Sequence, residues 1–164
     1  MREGESEGSR LIRAATCEPA LFAEVAADAG ATRGALYVVF GVALAAGIGH
    51  LPTGGLSGLL AGGARWLFAW VVCLLTVHLG ALALGRSSEL ARLFRSLGYA
   101  SVPFALAALE WLPLLGALLW LAKWGLGFFA FTTGAREALS LETSSAALLC
   151  GIGLALAALA LHLF

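Results

Sequence analysis

Lys123, His78 and Glu110 are the residues whose types and positions best suit chemistry, because each is ionisable and stands in nearly uncharged surroundings. Lys123 is the single charged residue within positions 114–134, and His78 lies in a run, 66–85, that has none. If both runs cross a membrane as helices, Lys123 is nine residues from one surface and His78 twelve, about 13 and 18 Å at the helical rise. A charged side chain near the bilayer centre costs at least ~2.5–3.5 kcal/mol on insertion scales, so it turns toward the bundle or a wet cavity. Two such groups one helical turn apart in depth suit a proton or ion route. The plainer reading is structural: Lys123 extends its stem toward Glu110 across a hairpin at Pro113 and pairs with it. That reading takes precedence, because pathways usually carry more than two polar groups.

A second set comes together only once a topology is assigned. His50, Glu110 and His162 then share the outer face, at a level open to a His/His/carboxylate metal site. Their separation in sequence carries no ligand spacing, so solvated or headgroup-facing side chains are the ordinary expectation, with no metal and no cofactor. No zinc-ligand cluster, phosphate loop or nucleophile elbow is present, and neither Ser57 nor Ser101 has a His or carboxylate in a local motif. An enzyme is therefore not expected. Cys17, Cys73 and Cys150 form no disulfide framework: counted along their helices, the last two differ in depth by about 9 Å, beyond the reach of a bridge.

The elements that must position these residues are long apolar helices. The twenty residues between Arg65 and Arg86 carry no formal charge and make about 30 Å of helix, the thickness of a hydrocarbon core. Mean hydropathy is +0.92 and only 12% of residues are charged, about half the share of a soluble domain. Net charge is zero, so nothing draws the chain to nucleic acid. Five spans fit the pattern, at about 34–50, 66–85, 97–112, 114–134 and 143–161, within a membrane domain of residues 17–164. Residues 1–16 read as a flexible polar cytoplasmic tail with no apolar h-region, so not a secretory signal. Residues 18–28 read as a short amphipathic helix opened by Pro19, with Leu21, Phe22 and Val25 on one face.

Pro52, Thr53, Gly54 and Gly55 mark the first turn. Gly54, Gly58 and Gly62 stand at four-residue spacing, a ridge that lets helix backbones approach closely in lipid, within one chain or in a dimer. Ser87, Ser88 and Glu89 form an N-cap signature. Leu90, Leu93, Phe94 and Leu97 then repeat at helical spacing, with Arg92 and Arg95 on the opposite side, and Pro103 kinks the third span. Arg86, Arg92 and Arg95 make a candidate face for anionic lipid headgroups or a protein partner. With the N-terminus inside, Arg2, Arg10, Arg13, Arg33, Arg86, Arg92, Arg95 and Arg136 are cytoplasmic and only Arg65 is outside, eight against one. Trp66, Trp70, Trp111, Trp120 and Trp124 supply interfacial-belt and packing residues, and the last two flank Lys123.

The stretch RLFRSLGYASVPFALAAL, residues 92–109, resembles the Yip domain family of Ypt/Rab-interacting membrane proteins and their bacterial relatives. The likeness is carried by a basic amphipathic helix feeding Gly98, Tyr99, Ala100 and Pro103, and by the lead-in EPALFAEVAADAGATRGAL with Pro19, Phe22 and Asp28. The resemblance covers about residues 17–163. It implies an all-α integral membrane protein, a five-helix bundle with short interfacial helices and a cytoplasmic N-terminus. Eukaryotic members serve vesicle trafficking and contact GTPases through a long N-terminal region, which this chain lacks, so a GTPase partner is not expected. The functional expectation is a multi-pass inner-membrane protein, non-enzymatic, acting through lipid or protein interactions in membrane organisation or trafficking. A homo-oligomer or another membrane protein is the expected macromolecular partner. The alternative is a small transporter or proton/ion conduit using His78 and Lys123.

Overall fold

A computed structural model describes residues 7–163, with side chains to residue 159. Two short helices, α1 (Glu7–Ala15) and α2 (Pro19–Ala27), meet at Cys17, whose φ of 55° reverses the chain in the left-handed region. Ion pairs hold them together: Arg13 lies 2.8 Å from Glu18 and 2.9 Å from Glu24, and Arg10 lies 3.2 Å from Asp28. The Tyr99 hydroxyl donates to Glu7 at 2.8 Å. The expected flexible tail is thus corrected over residues 7–15, and residues 1–6 of that expectation lie outside the described residues. Charges that composition assigns to solvation are here matched one against another between neighbouring segments. Leu21, Phe22 and Val25 of α2 are fully buried.

Helix α3 (Ala31–Ala83) contains the first two expected spans in 53 residues, interrupted by non-helical backbone at Gly55. With φ 56° and ψ −146°, Gly55 adopts a conformation that side chains resist, and the helix folds back there into two antiparallel limbs. The limbs touch through glycine. A Cβ on Gly58 would lie 2.6 Å from the His50 carbonyl, and one on Gly62 would lie 3.0 Å from that of Ala46. Gly47 meets the Leu59 carbonyl in the same way from the opposite limb. Of the expected ridge, Gly58 and Gly62 therefore pack within the chain, while a Cβ on Gly54 would meet open space. Gly85, at φ 70°, ends the second limb by letting the Arg86 amide donate to the Ala81 carbonyl.

Helix α4 (Leu90–Ala100) gives way to a 3₁₀ segment (Val102–Leu109) just before Pro103. A continuous α-helix over 97–112 is not formed, because proline has no amide to donate and crowds the preceding turn. A turn containing Pro113 and Leu114 leads to α5 (Gly116–Leu139), and α6 (Thr143–Leu163) comes after Ser140, again left-handed at φ 51°. Limbs of α3 pack against α6, the 3₁₀ segment and α4, while α5 joins α4 to α6. Tyr99, Leu93, Leu97, Val77, Cys73 and Cys150 fill the centre. Cys73 sits against Gly153, three residues beyond Cys150 on α6, so those cysteines are nearer in level than counting along the spans implies. All three cysteines are free.

Arg95 corrects the expected basic face. Its side chain is turned inward, donating from Nε to the Val25 carbonyl at 3.1 Å and from Nη2 to that of Ala26 at 2.5 Å. The last turn of α2 has carbonyls without helical partners, and the guanidinium satisfies two of them where α2 lies across α4. Arg86 and Arg92 remain exposed.

Candidate functional site

Lys123 and Glu110 form an ion pair at 2.6 Å, with side chains 12% and 23% exposed. Glu110 closes the 3₁₀ segment and Lys123 is in the second turn of α5, so the Pro113 turn folds one onto the other. Gly116 allows this closure, since a Cβ there would strike the Glu110 carbonyl. The Lys123 ammonium also stands 5.4 Å from the centre of the Trp124 ring, within cation–π range.

The pair lies on the wall of a cavity of about 690 Å³ enclosed by α3, the 3₁₀ segment, α5 and α6. Phe104 organises its aromatic side. Its ring centroid is 5.2 Å from that of Phe131, 5.7 Å from Trp124 and 6.4 Å from Trp66. Gly127 makes room for it, because any side chain there would collide with the Phe104 ring. Trp120 and Trp124 continue the wall at a centroid separation of 6.5 Å. At the rim stand His50, Arg65, Trp120 and Trp124, all exposed. His50 donates from Nδ1 to the Ala46 carbonyl at 3.0 Å, which turns the ring along its own helix. Deeper, Trp70 is 6% exposed, and its indole N–H has no acceptor among the described residues.

The sequence-derived residues are thus partly assembled. Lys123 and Glu110 meet, and His50 shares their cavity. His78 does not: its Nδ1 is 2.7 Å from the Ser88 hydroxyl, beyond the far end of the same limb, and it does not line the cavity. The hydroxyl of Ser88 therefore serves His78, and α4 begins without a side-chain cap. Of the possible metal ligands, the side chain of His162 lies outside the described residues, and no group of three His, Cys, Asp or Glu able to hold a metal is found among the described residues. Sequence reasoning missed the convergence of Arg65, Trp66 and Trp70 with Phe104. One signal was available: in the expected topology with the N-terminus inside, Arg65 is the lone arginine left on the outer side.

The chemistry open to this arrangement is recognition. It combines an apolar aromatic wall, one neutralised ion pair, one further cation and an indole donor. Among the described residues lining it, no nucleophile stands beside a base.

No family model, curated protein or solved structure matches this chain.

Proposed function

We propose that this is a multi-pass membrane protein of Yip type, with five spans, a cytoplasmic N-terminus and an external C-terminus, that works non-catalytically through lipid or protein contacts. The observation that carries the reading is the outward direction of its apolar side chains. The most apolar window of α3 has a mean hydropathy of 2.0, yet only 28% of it is buried. A core helix of a water-soluble protein would hide most of such a window. Tyr37, Phe40, Leu56, Leu118, Leu121 and Leu148 are all more than half exposed, spread over both limbs of α3, α5 and α6. Exposed apolar surface on this scale needs an apolar solvent. Each α3 limb has about 25 residues, or roughly 37 Å of helix, enough to cross a hydrocarbon core with some tilt.

Single cysteines placed at Thr53, Leu114 and Ser140 in a variant lacking the native cysteines test the topology. In sealed right-side-out vesicles an impermeant maleimide should label the first two from outside and leave Ser140→Cys unlabelled until the membrane is opened. Labelling of all three from one side refutes the five-span arrangement. The conduit alternative rests on Lys123 lining a cavity, and it is weakened by the Glu110 partner and by the separate placement of His78. Proton or ion flux in proteoliposomes abolished by Lys123→Ala, with folding retained, would restore it.

A further inference from the structure

We infer that the cavity holds one anionic phospholipid, with its phosphate at Arg65 and an acyl chain lying among Trp66, Trp70 and Phe104. The inference rests on the membrane reading above and gives it a ligand. Three features converge. Among the described residues Glu110 is the only carboxylate on the wall, and Lys123 occupies it at 2.6 Å. Arg65 on the rim then has no carboxylate partner among the described residues, so two cations face one anion and the wall carries an excess positive charge. An arginine fork matches a phosphate in geometry as well as charge.

Trp70 is the second feature. A buried indole N–H without an acceptor is unfavourable, and tryptophan normally finds one when buried. Five residues along α3 from Arg65, Trp70 stands about 7.5 Å deeper, where the ester oxygens of a lipid anchored at Arg65 can accept. The third feature is shape. About 690 Å³ is the size of an ordinary ligand pocket, and its rim is exposed while its depth is lined by Cys73, Leu154, Ala157 and aromatic rings. A polar mouth above an apolar interior matches an amphiphile inserted headgroup outward, in the same sense as the bilayer around it.

The test uses the full chain purified in neutral detergent and presented with equal phosphatidylglycerol and phosphatidylcholine. Native mass spectrometry reads what is retained, and quenching by lipids with brominated chains reads contact with the cavity tryptophans. One phosphatidylglycerol per chain should survive, preferred over phosphatidylcholine, and brominated phosphatidylglycerol should quench more strongly. Arg65→Gln should lower that preference about fivefold, on the scale of one cation beside an anionic headgroup. Arg65→Lys should keep most of it, and Arg33→Gln, exposed at the start of the first α3 limb and away from the cavity, should leave it unchanged. Trp70→Phe keeps a smaller aromatic ring and removes the donor, and should weaken retention without unfolding the chain. Equal retention of both lipids overturns the inference, as does an Arg65→Gln preference like that of the parent, or retention of a free fatty acid instead. Failure of the membrane reading would look different: the chain would remain soluble and monodisperse with no detergent at all.

Discussion

Replacing Lys123 by Met keeps most of the side-chain volume and removes its charge, leaving the Glu110 carboxylate without its partner. The two side chains are 12% and 23% exposed and 2.6 Å apart, so the pair is largely desolvated but keeps some access to the surface. Breaking a buried ion pair by deleting one partner costs about 3–5 kcal/mol, chiefly because the remaining charge stays buried. With this partial access, the lower end, about 3 kcal/mol, is expected for Lys123→Met. A similar loss is expected for Glu110→Gln, where the ammonium beside Trp124 loses its counterion. The double variant leaves no uncompensated charge and should recover most of the loss, because an apolar or neutral replacement of a buried pair is often close to neutral. Reversible denaturant unfolding in mixed micelles, run as a double-mutant cycle, measures the coupling directly. A coupling of about 2 kcal/mol or more is the expected outcome. Additive losses, or a Lys123→Met variant as stable as the parent, would refute the claim that this pair is a structural clasp across the Pro113 turn.

The packing implies three further outcomes. Gly58→Leu should destabilise the chain by about 2 kcal/mol or more, since its Cβ would press on the His50 carbonyl at 2.6 Å; Gly54→Leu, facing open space, should change little. Thermal unfolding of the pair checks this, and equal stability of the two variants would remove the glycine contact from the account of the α3 turn. Arg95→Met should cost about 2–3 kcal/mol through two lost charge-assisted hydrogen bonds, and should expose α1 and α2 to limited proteolysis well before the rest. Burial pushes the Cys17 thiol up, so at pH 8 it holds less thiolate than a free thiol and should be alkylated more slowly. Alkylation of Cys17 at the rate of a denatured control would contradict its burial, with Sγ 4.0 Å from the Leu126 carbonyl of α5.

Helix content, the amphipathic helix after Pro19 and a disturbance of the helix at Pro103 were legible in the chain itself, and so was a reversal near Gly55, although Pro52 to Gly54, expected in the turn, remain helical. They depend on local physics: apolar runs of fixed length, proline without an amide, and glycine free to take a positive φ. The possibility of a Lys123–Glu110 pair was legible too, because one turn separates the residues and Pro113 limits how that turn can fold. Other matters were invisible at that level. Arg95 and Arg92 have the same charge and neighbouring helical positions, yet one is buried and the other exposed. Only the arrival of α2, with two carbonyls lacking partners, distinguishes them. Charge pattern along α4 cannot register an acceptor supplied from seventy residues away.

The same holds for the cavity. Residue types by themselves established that the chain carries apolar runs long enough to cross a bilayer, and that Lys123, alone among apolar residues, needs a partner. Which residues gather around Phe104 was decided by three separate approaches: the reversal at Gly55, the room left at Gly127 and the closure at Gly116. Each is a contact between segments distant in sequence, governed by steric fit and not by local preference. For this reason Arg65, unremarked as a site by its own neighbours, and Trp70, ordinary in an apolar helix, acquire a common purpose only in the folded chain.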